Sequence, residues 1–141
     1  MIKTLYFMFF VCACLFGMMA CSAKQKDSFK NLSADEFERL IADENVQCVD
    51  VRTVAEFSDG HIGGSLNLNV MDERFVSNAE TVLEPSRPVA VYCKSGRRSR
   101  KAAHLLAKKG FTVYNLDKGF EDWKECGKPV VGDGDTEGLA E

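Results

Sequence analysis

The apolar positions of this chain fall into short runs, with polar stretches of helical character between them. The run at 46–51, "VQCVDV", is β-branched and mostly apolar, as a strand buried on both faces should be. "SLNLNV" at 65–70 reads as a second short strand, "VAVY" at 89–92 as a third and "FTVYNL" at 111–116 as a fourth. Ahead of the first strand, "LSADEFERLIADE" sets Phe37, Leu40 and Ile41 on one stripe. Ser33 and Glu36 form a capping box there, and Leu32 can staple onto Phe37. "RTVAEFSDGHIGGS" carries the turn signals Asp59-Gly60 and Gly63-Gly64. "DERFVSNAETVL" is weakly helical, and Pro85 and Pro88 bracket a loop after it. "RKAAHLLAKK" is a stronger helix, with Ser99 as its expected cap and Gly110 as its stop. Lys108 and Lys109 sit at the negative end of its dipole. "GFEDWKEC" predicts a last helical turn or two with Phe120 and Trp123 on one side.

Strands alternating with helices predict an α/β domain with a mainly parallel sheet. Strand 89–92, helix 99–109 and strand 111–116 form a βαβ unit, expected to cross over right-handed. Ligands bind such sheets at the carboxyl ends of the strands. Two clusters lie at such ends, "DVR" at 50–52 and "CKSGRR" at 93–98, so topology predicts that they converge.

The ends of the chain have a different character. One early cation, Lys3, precedes an apolar run from Leu5 to Ala20, at the short edge of a membrane span and at the N-terminus. It reads as a signal peptide over residues 1–20. Its end, Met18-Met19-Ala20-Cys21, resembles the bacterial lipobox, with Met18 where Leu is usual. Cleavage there is coupled to lipid attachment on the cysteine, so Cys21 is the expected lipidation site. A plain signal peptide and an uncleaved anchor are the alternatives. Residues 21–30 read as a polar tether, 31–131 as the domain, and 132–141 as an acidic, Gly-rich flexible tail. The expected location is the bacterial envelope, on the periplasmic side, with the membrane held through the N-terminal lipid.

Charge and cysteine usage narrow the chemistry. The formal charge of −3 offers no general attraction for nucleic acid, and the leader removes one basic side chain and no acidic one. Of six cysteines, Cys12 and Cys14 leave with the leader and Cys21 would be acylated. Cys48, Cys93 and Cys126 remain, and an odd count is no disulfide framework. There is no C-x-x-C and no His/Cys cluster, so neither a metal nor a cofactor is expected.

Cys93 stands between a strand end and a helix start, the setting of a reactive thiolate. Backbone N–H groups and the positive dipole end of the helix would face it. Ser95 and Gly96 let the loop curl into an anion-binding nest. Lys94, Arg97 and Arg98 add positive charge, Lys94 and Arg97 being the better placed to steer anions. Such a cradle would hold a thiolate, a persulfide or an anionic substrate. Arg52 either holds the anion or pairs structurally with Asp50, which is read as a buttress. His61 in its "GHIGGS" turn, His104, Glu56 and Phe57 read as structural, and Cys48 and Cys126 as plain thiols.

The chain resembles a single-domain rhodanese over roughly residues 31–131. "VDVRTVAEFSDGHIGGSLNLN" is similar to the family's first signature, and "VYCKSGRRSRKAAHLLAKKGF" to its active-site signature, C-x-x-G-x-R-S followed by a helix. "KGFEDWKECGKPV" resembles the family's ending, with Lys118 in place of the first Gly. The resemblance implies a parallel five-stranded sheet flanked by helices on both faces. It implies that Cys93 takes sulfane sulfur from a small anionic donor such as thiosulfate, releasing sulfite. The Cys93 persulfide would pass sulfur to a thiol or to a cyanide-like acceptor. Backbone N–H groups from Cys93 to Arg98 would bind the anion. Fold relatives acting on phosphate or arsenate esters place the arginine six positions after the cysteine; here Arg98 is five after, and Ser99 holds the sixth position. The shorter loop favours sulfur. A persulfide carrier or partner-docking module, and a phosphatase or arsenate-reductase activity, are the competing readings.

Overall fold

The computed structural model describes residues 28–132. The leader, Cys21 and most of the expected tether and tail lie outside the described residues. The elements run β1 (Lys30–Leu32), α1 (Ala34–Ile41), β2 (Gln47–Asp50), α2 (Val54–Asp59) and β3 (Leu66–Asn67). They continue with α3 (Phe75–Val82), β4 (Val89–Tyr92), α4 (Arg97–Lys108), β5 (Val113–Leu116) and α5 (Gly119–Glu125). The strands form one sheet in the order β1-β5-β4-β2-β3, and every pairing is parallel. The α/β architecture with helices on both faces is as expected.

Burial on both faces explains the strand composition. Val49, Val51, Val89, Val91 and Val113 point to one side, under Phe75 and Ala79 of α3 and Ala102 and Leu106 of α4. Cys48, Ala90, Tyr92 and Leu116 point to the other, against Phe37 of α1 and Phe120 and Trp123 of α5. β4 is wholly buried, and β2 and β5 flank it. On the second face Phe37 meets Tyr92 and Trp123 edge-on, each at 6.3 Å between ring centroids.

Two elements differ from the sequence expectation. β1 starts on Lys30, the last residue read as tether, and pairs Lys30 to Leu32 with Tyr114 to Leu116 of β5, where the sequence announced no strand. It has three residues, two of them exposed, so it carries no hydrophobic signal of its own. The stretch read as turns contains α2. Its Thr53 and Glu56 form a capping box, with Glu56 N donating to Thr53 Oγ1 at 3.2 Å and Thr53 N to Glu56 Oε2 at 3.1 Å. None of its six residues is buried, so no apolar stripe announces it. The capping box of α1, by contrast, is where the sequence placed it, at Ser33 and Glu36.

Tyr92 ties β4 to the turn after α2. Its hydroxyl accepts from Ile62 N at 2.9 Å and lies 3.0 Å from Ser65 Oγ. Burial, reinforced by nearby Asp50, pushes its pKa far up, so it stays a neutral hydrogen-bonding group.

At the carboxyl end of β2, Asp50 is 0 % and Arg52 4 % exposed. Arg52 Nε donates to both Asp50 oxygens at 3.0 Å, and Nη2 donates to Asp50 Oδ2 at 2.6 Å and to the Gly60 carbonyl at 2.7 Å. The guanidinium also lies over the Phe120 ring, 4.3 Å from its centroid. Burial works against the Arg52 charge, but Asp50 outweighs it, and the pKa is raised. Removing one partner of such a pair strands a buried charge, whereas replacing both is far milder. Arg52→Met is expected to lower the unfolding free energy by about 3–5 kcal/mol. Asp50→Asn combined with Arg52→Met should recover most of that loss in urea unfolding; an equal loss in both variants would locate the destabilisation elsewhere.

Candidate active site

Cys93 follows β4 directly and is 1 % exposed. The loop behind it folds back at Gly96, whose N–H donates to Cys93 Sγ at 3.1 Å. Gly96 has φ +94°, and a Cβ there would come 1.9 Å from the Asp117 carbonyl oxygen, so only glycine fits. Gly96 is also the N-cap of α4. The first backbone bond of the helix is Arg100 N to Gly96 O at 3.2 Å, so the N–H groups of residues 97–99 precede it. Free donors at the positive end of a twelve-residue helix therefore adjoin the thiol.

The start of α5 pins this loop from outside. Phe120 N donates to Cys93 O at 2.8 Å and Glu121 N to Lys94 O at 3.1 Å. That approach requires Gly119, which has φ +71° and whose Cβ would meet Lys94 O at 2.4 Å. In this way the two clusters "DVR" and "CKSGRR" are brought to one end of the sheet, as topology predicted, with α5 packed against both.

Ser99 differs from its expected role. It is the third residue of α4, fully buried, and its Oγ donates to Gly96 O at 3.1 Å. The helix begins earlier because left-handed Gly96 turns the chain at once, without a side-chain cap. Ser99 fastens the loop from within instead.

The loop cations are largely spoken for. Arg98 makes a two-point bridge to Glu56, Nη1 to Oε2 and Nη2 to Oε1, both at 2.8 Å. That hydrogen bond holds the Glu56 carboxyl down at about 2. Its contribution to stability is complete above the ordinary glutamate value and disappears as pH falls through about 2. Lys94 Nζ lies 3.5 Å from Glu121 Oε1. Arg97 is exposed and has no ion-pair partner among the described residues, and Ser95 is exposed beside it. Positive potential at Cys93 therefore comes chiefly from backbone N–H groups and the helix end.

Glu56, read as structural from the sequence, caps α2 and also binds Arg98, a contact the sequence did not announce. The signal for the cap was present, since T-x-x-E at 53–56 is a capping box. Arg52 has its Nε and Nη2 engaged by Asp50 and Gly60, and it also lines a cleft of about 260 Å³ beside the loop. The cleft is bounded by Glu56, Lys94, Phe120 and Lys124 as well.

The His61 ring stacks on Phe57 at 3.7 Å, and Nδ1 lies 2.8 Å from the Phe57 carbonyl oxygen. His104 is exposed and meets Phe29 edge-on. Burial, with Asp50 nearby, pushes the Cys48 thiol up to about 12, which makes it inert. Cys126 is exposed at the end of α5. Among the described residues no group of His, Cys, Asp and Glu side chains is arranged to hold a metal ion. No helix among them is long and apolar enough to cross a membrane.

Comparison with known proteins agrees with this architecture. Residues 33–126 match the family model described as Rhodanese-like domain. The thiosulfate sulfurtransferase GlpE of Shewanella oneidensis is 39 % identical over 101 residues, 70 % of this chain and 96 % of that protein. The putative sulfur carrier protein YrkF of Bacillus subtilis is 30 % identical over 104 residues, 72 % of this chain and 55 % of that protein. The solution structure of the rhodanese-like domain of Anabaena sp. Alr3790 is 31 % identical, with a TM-score of 0.65 over 79 % of this chain and 85 % of that one. The five-stranded parallel sheet and its flanking helices are the rhodanese fold, and the chain belongs to the rhodanese-like domain family.

Proposed function

We propose that this protein is a sulfurtransferase that carries sulfane sulfur on Cys93. The observation that supports this best is the Gly96 N–H bond to Cys93 Sγ at 3.1 Å, at the mouth of the α4 N-terminus. A donor aimed at sulfur stabilises the thiolate, and the next N–H groups along the helix start can stabilise the charge of a bound anion. With thiosulfate, the donor named for the GlpE relative, the Cys93 thiolate attacks the outer sulfur. The sulfur–sulfur bond of thiosulfate breaks, its electron pair leaves with sulfite, and a Cys93 persulfide remains. In this reading Lys94, Ser95, Gly96, Arg97 and Arg98 form the substrate loop, and Arg52 and Asp50 hold the adjoining strand end. Ser99 fixes the Gly96 carbonyl, and no cofactor takes part.

A carrier role is the second reading. It is favoured by the burial of Cys93, which leaves 1 % of the residue exposed, and by the likeness to a protein named as a putative sulfur carrier. Ester chemistry on phosphate or arsenate is less well supported. The Arg98 guanidinium, which such a reaction would need on the transferred group, is held by Glu56. We further propose that the chain is exported and anchored by a lipid on Cys21, on the strength of the apolar run and the Met18-Met19-Ala20-Cys21 ending.

Three outcomes are expected. With thiosulfate and cyanide, wild type releases sulfite and forms thiocyanate, and Cys93→Ser loses at least about a thousandfold in rate, the scale for loss of a covalent nucleophile. Full activity in Cys93→Ser would end the assignment; a persulfide seen by intact mass without turnover would favour the carrier. Inserting one glycine after Gly96 moves the α4 start away from Sγ and should slow sulfite release. Unchanged thiosulfate kinetics would show that loop size is not the selector. In cells fed a fatty-acid probe, wild type should be labelled, whereas Cys21→Ala should accumulate unprocessed and unlabelled. Processing and release of an unlabelled wild-type protein would point to a plain signal peptide.

A further inference from the structure

The cleft beside the Cys93 loop has a charge pattern that the donor half of the reaction does not use. Most of its lining charges are matched internally: Arg52 by Asp50, Glu56 by Arg98, and Lys94 by Glu121. Two lining charges of opposite sign have no ion-pair partner among the described residues, Asp59 and Lys124. Asp59 ends α2, and Lys124 lies on α5. Lys124 Nζ sits 5.0 Å from the centroid of the Phe120 ring, which positions the ammonium along the wall of the cleft.

Resting on the sulfurtransferase reading, we propose that this cleft is the acceptor subsite and that its ligand is a small dipolar thiol. The ligand class is an amino-acid thiol with one ammonium and one carboxylate, the ammonium set against Asp59 and the carboxylate against Lys124. A singly charged thiol satisfies one of these groups and leaves the other uncompensated. A dipolar thiol satisfies both and adds no net charge to a cleft that is already balanced. The volume of about 260 Å³ lies below the span of about 300–1,000 Å³ typical of drug-sized ligands, so a small molecule is the fitting occupant. Phe120 and Val130 offer apolar wall for its methylene carbon. Lys94, next in sequence to Cys93, lines the same cleft, so the cleft borders the first residue of the loop after the thiol.

The transfer step balances without an oxidant. The acceptor thiolate attacks the outer sulfur of the Cys93 persulfide. A new sulfur–sulfur bond forms on the acceptor, the bond to Sγ breaks, and its electron pair returns to Cys93 as thiolate. The products are the free enzyme and the acceptor's persulfide. Donor and acceptor thus use different chemistry: backbone N–H groups for the anion, and opposed side-chain charges for the dipolar thiol.

The test loads full-length protein with thiosulfate, verifies the persulfide by intact mass, and follows its discharge by four thiols. These are cysteine, cysteamine (no carboxylate), 3-mercaptopropionate (no ammonium) and 2-mercaptoethanol (neither). The variant-to-wild-type rate ratio for each thiol removes differences in intrinsic nucleophilicity. Lys124→Gln should slow the two thiols that carry a carboxylate about fivefold more than the two that lack one, the scale of a partly exposed charge pair. Asp59→Asn should do the same for the two thiols that carry an ammonium. In wild type alone, KM for cysteine should fall below that of the other three, a readout independent of how the variants fold. Equal ratios across the four thiols, or equal wild-type KM values, overturn the proposal and leave the sulfurtransferase reading standing. Failure to form the persulfide overturns that reading and this proposal with it.

Discussion

The buried pair of Asp50 and Arg52 holds together the end of the sheet on which the site is built. Both residues are nearly inaccessible, and the guanidinium reaches four structures at once. It bonds Asp50 at the end of β2 and the Gly60 carbonyl after α2, and it lies over Phe120 of α5 and, at 5.7 Å, beside Tyr92 of β4. A charge in that position is tolerable because Asp50 neutralises it and both groups are hydrogen-bonded. α5 in turn donates Phe120 N to Cys93 O, so the pair buttresses the thiol loop through one intervening residue. A change in the pair is therefore felt both in stability and in loop geometry.

Close backbone approach is the second constraint. Gly96 and Gly119 both have positive φ, and a methyl group on either would strike a carbonyl oxygen. Together they let β4, α4 and α5 meet around four residues of chain, from Cys93 to Gly96. The result is a sulfur atom facing a backbone donor in a dry setting, where each donor counts for more than it would in water. The side chains add less than their number suggests. Glu56 and Glu121 answer two of the three loop cations, which leaves the backbone donors as the unmatched positive groups nearest the sulfur.

The sequence was most legible where local physics is strong. The capping box at Ser33, the buried strands at 46–51 and 89–92, and the thiol at a strand–helix junction all bear on their own residues, so a linear reading finds them. β1 was not legible, because three residues acquire strand character through pairing with β5 rather than through their own composition. α2 was masked by its turn-rich neighbours and its lack of buried positions, although its cap was written in Thr53 and Glu56. Ser99 was misplaced for a related reason. Serine is a good cap, but left-handed Gly96 starts the helix first, and the conformation of a glycine cannot be read from composition.

The sequence by itself determined the α/β class, the convergence of two loops at the carboxyl ends of the strands, and the placement of the Cys93 thiol between a strand end and a helix start. Periodicity, turn residues and topology are properties of the linear chain, and they suffice for that much. The tertiary structure alone decided which charges are spent and which are free. Arg98 and Glu56 are 42 residues apart, and Arg52 meets Phe120 across a still longer stretch of chain. Ion pairs of this kind depend on distance in space, and no pattern along the sequence carries that distance.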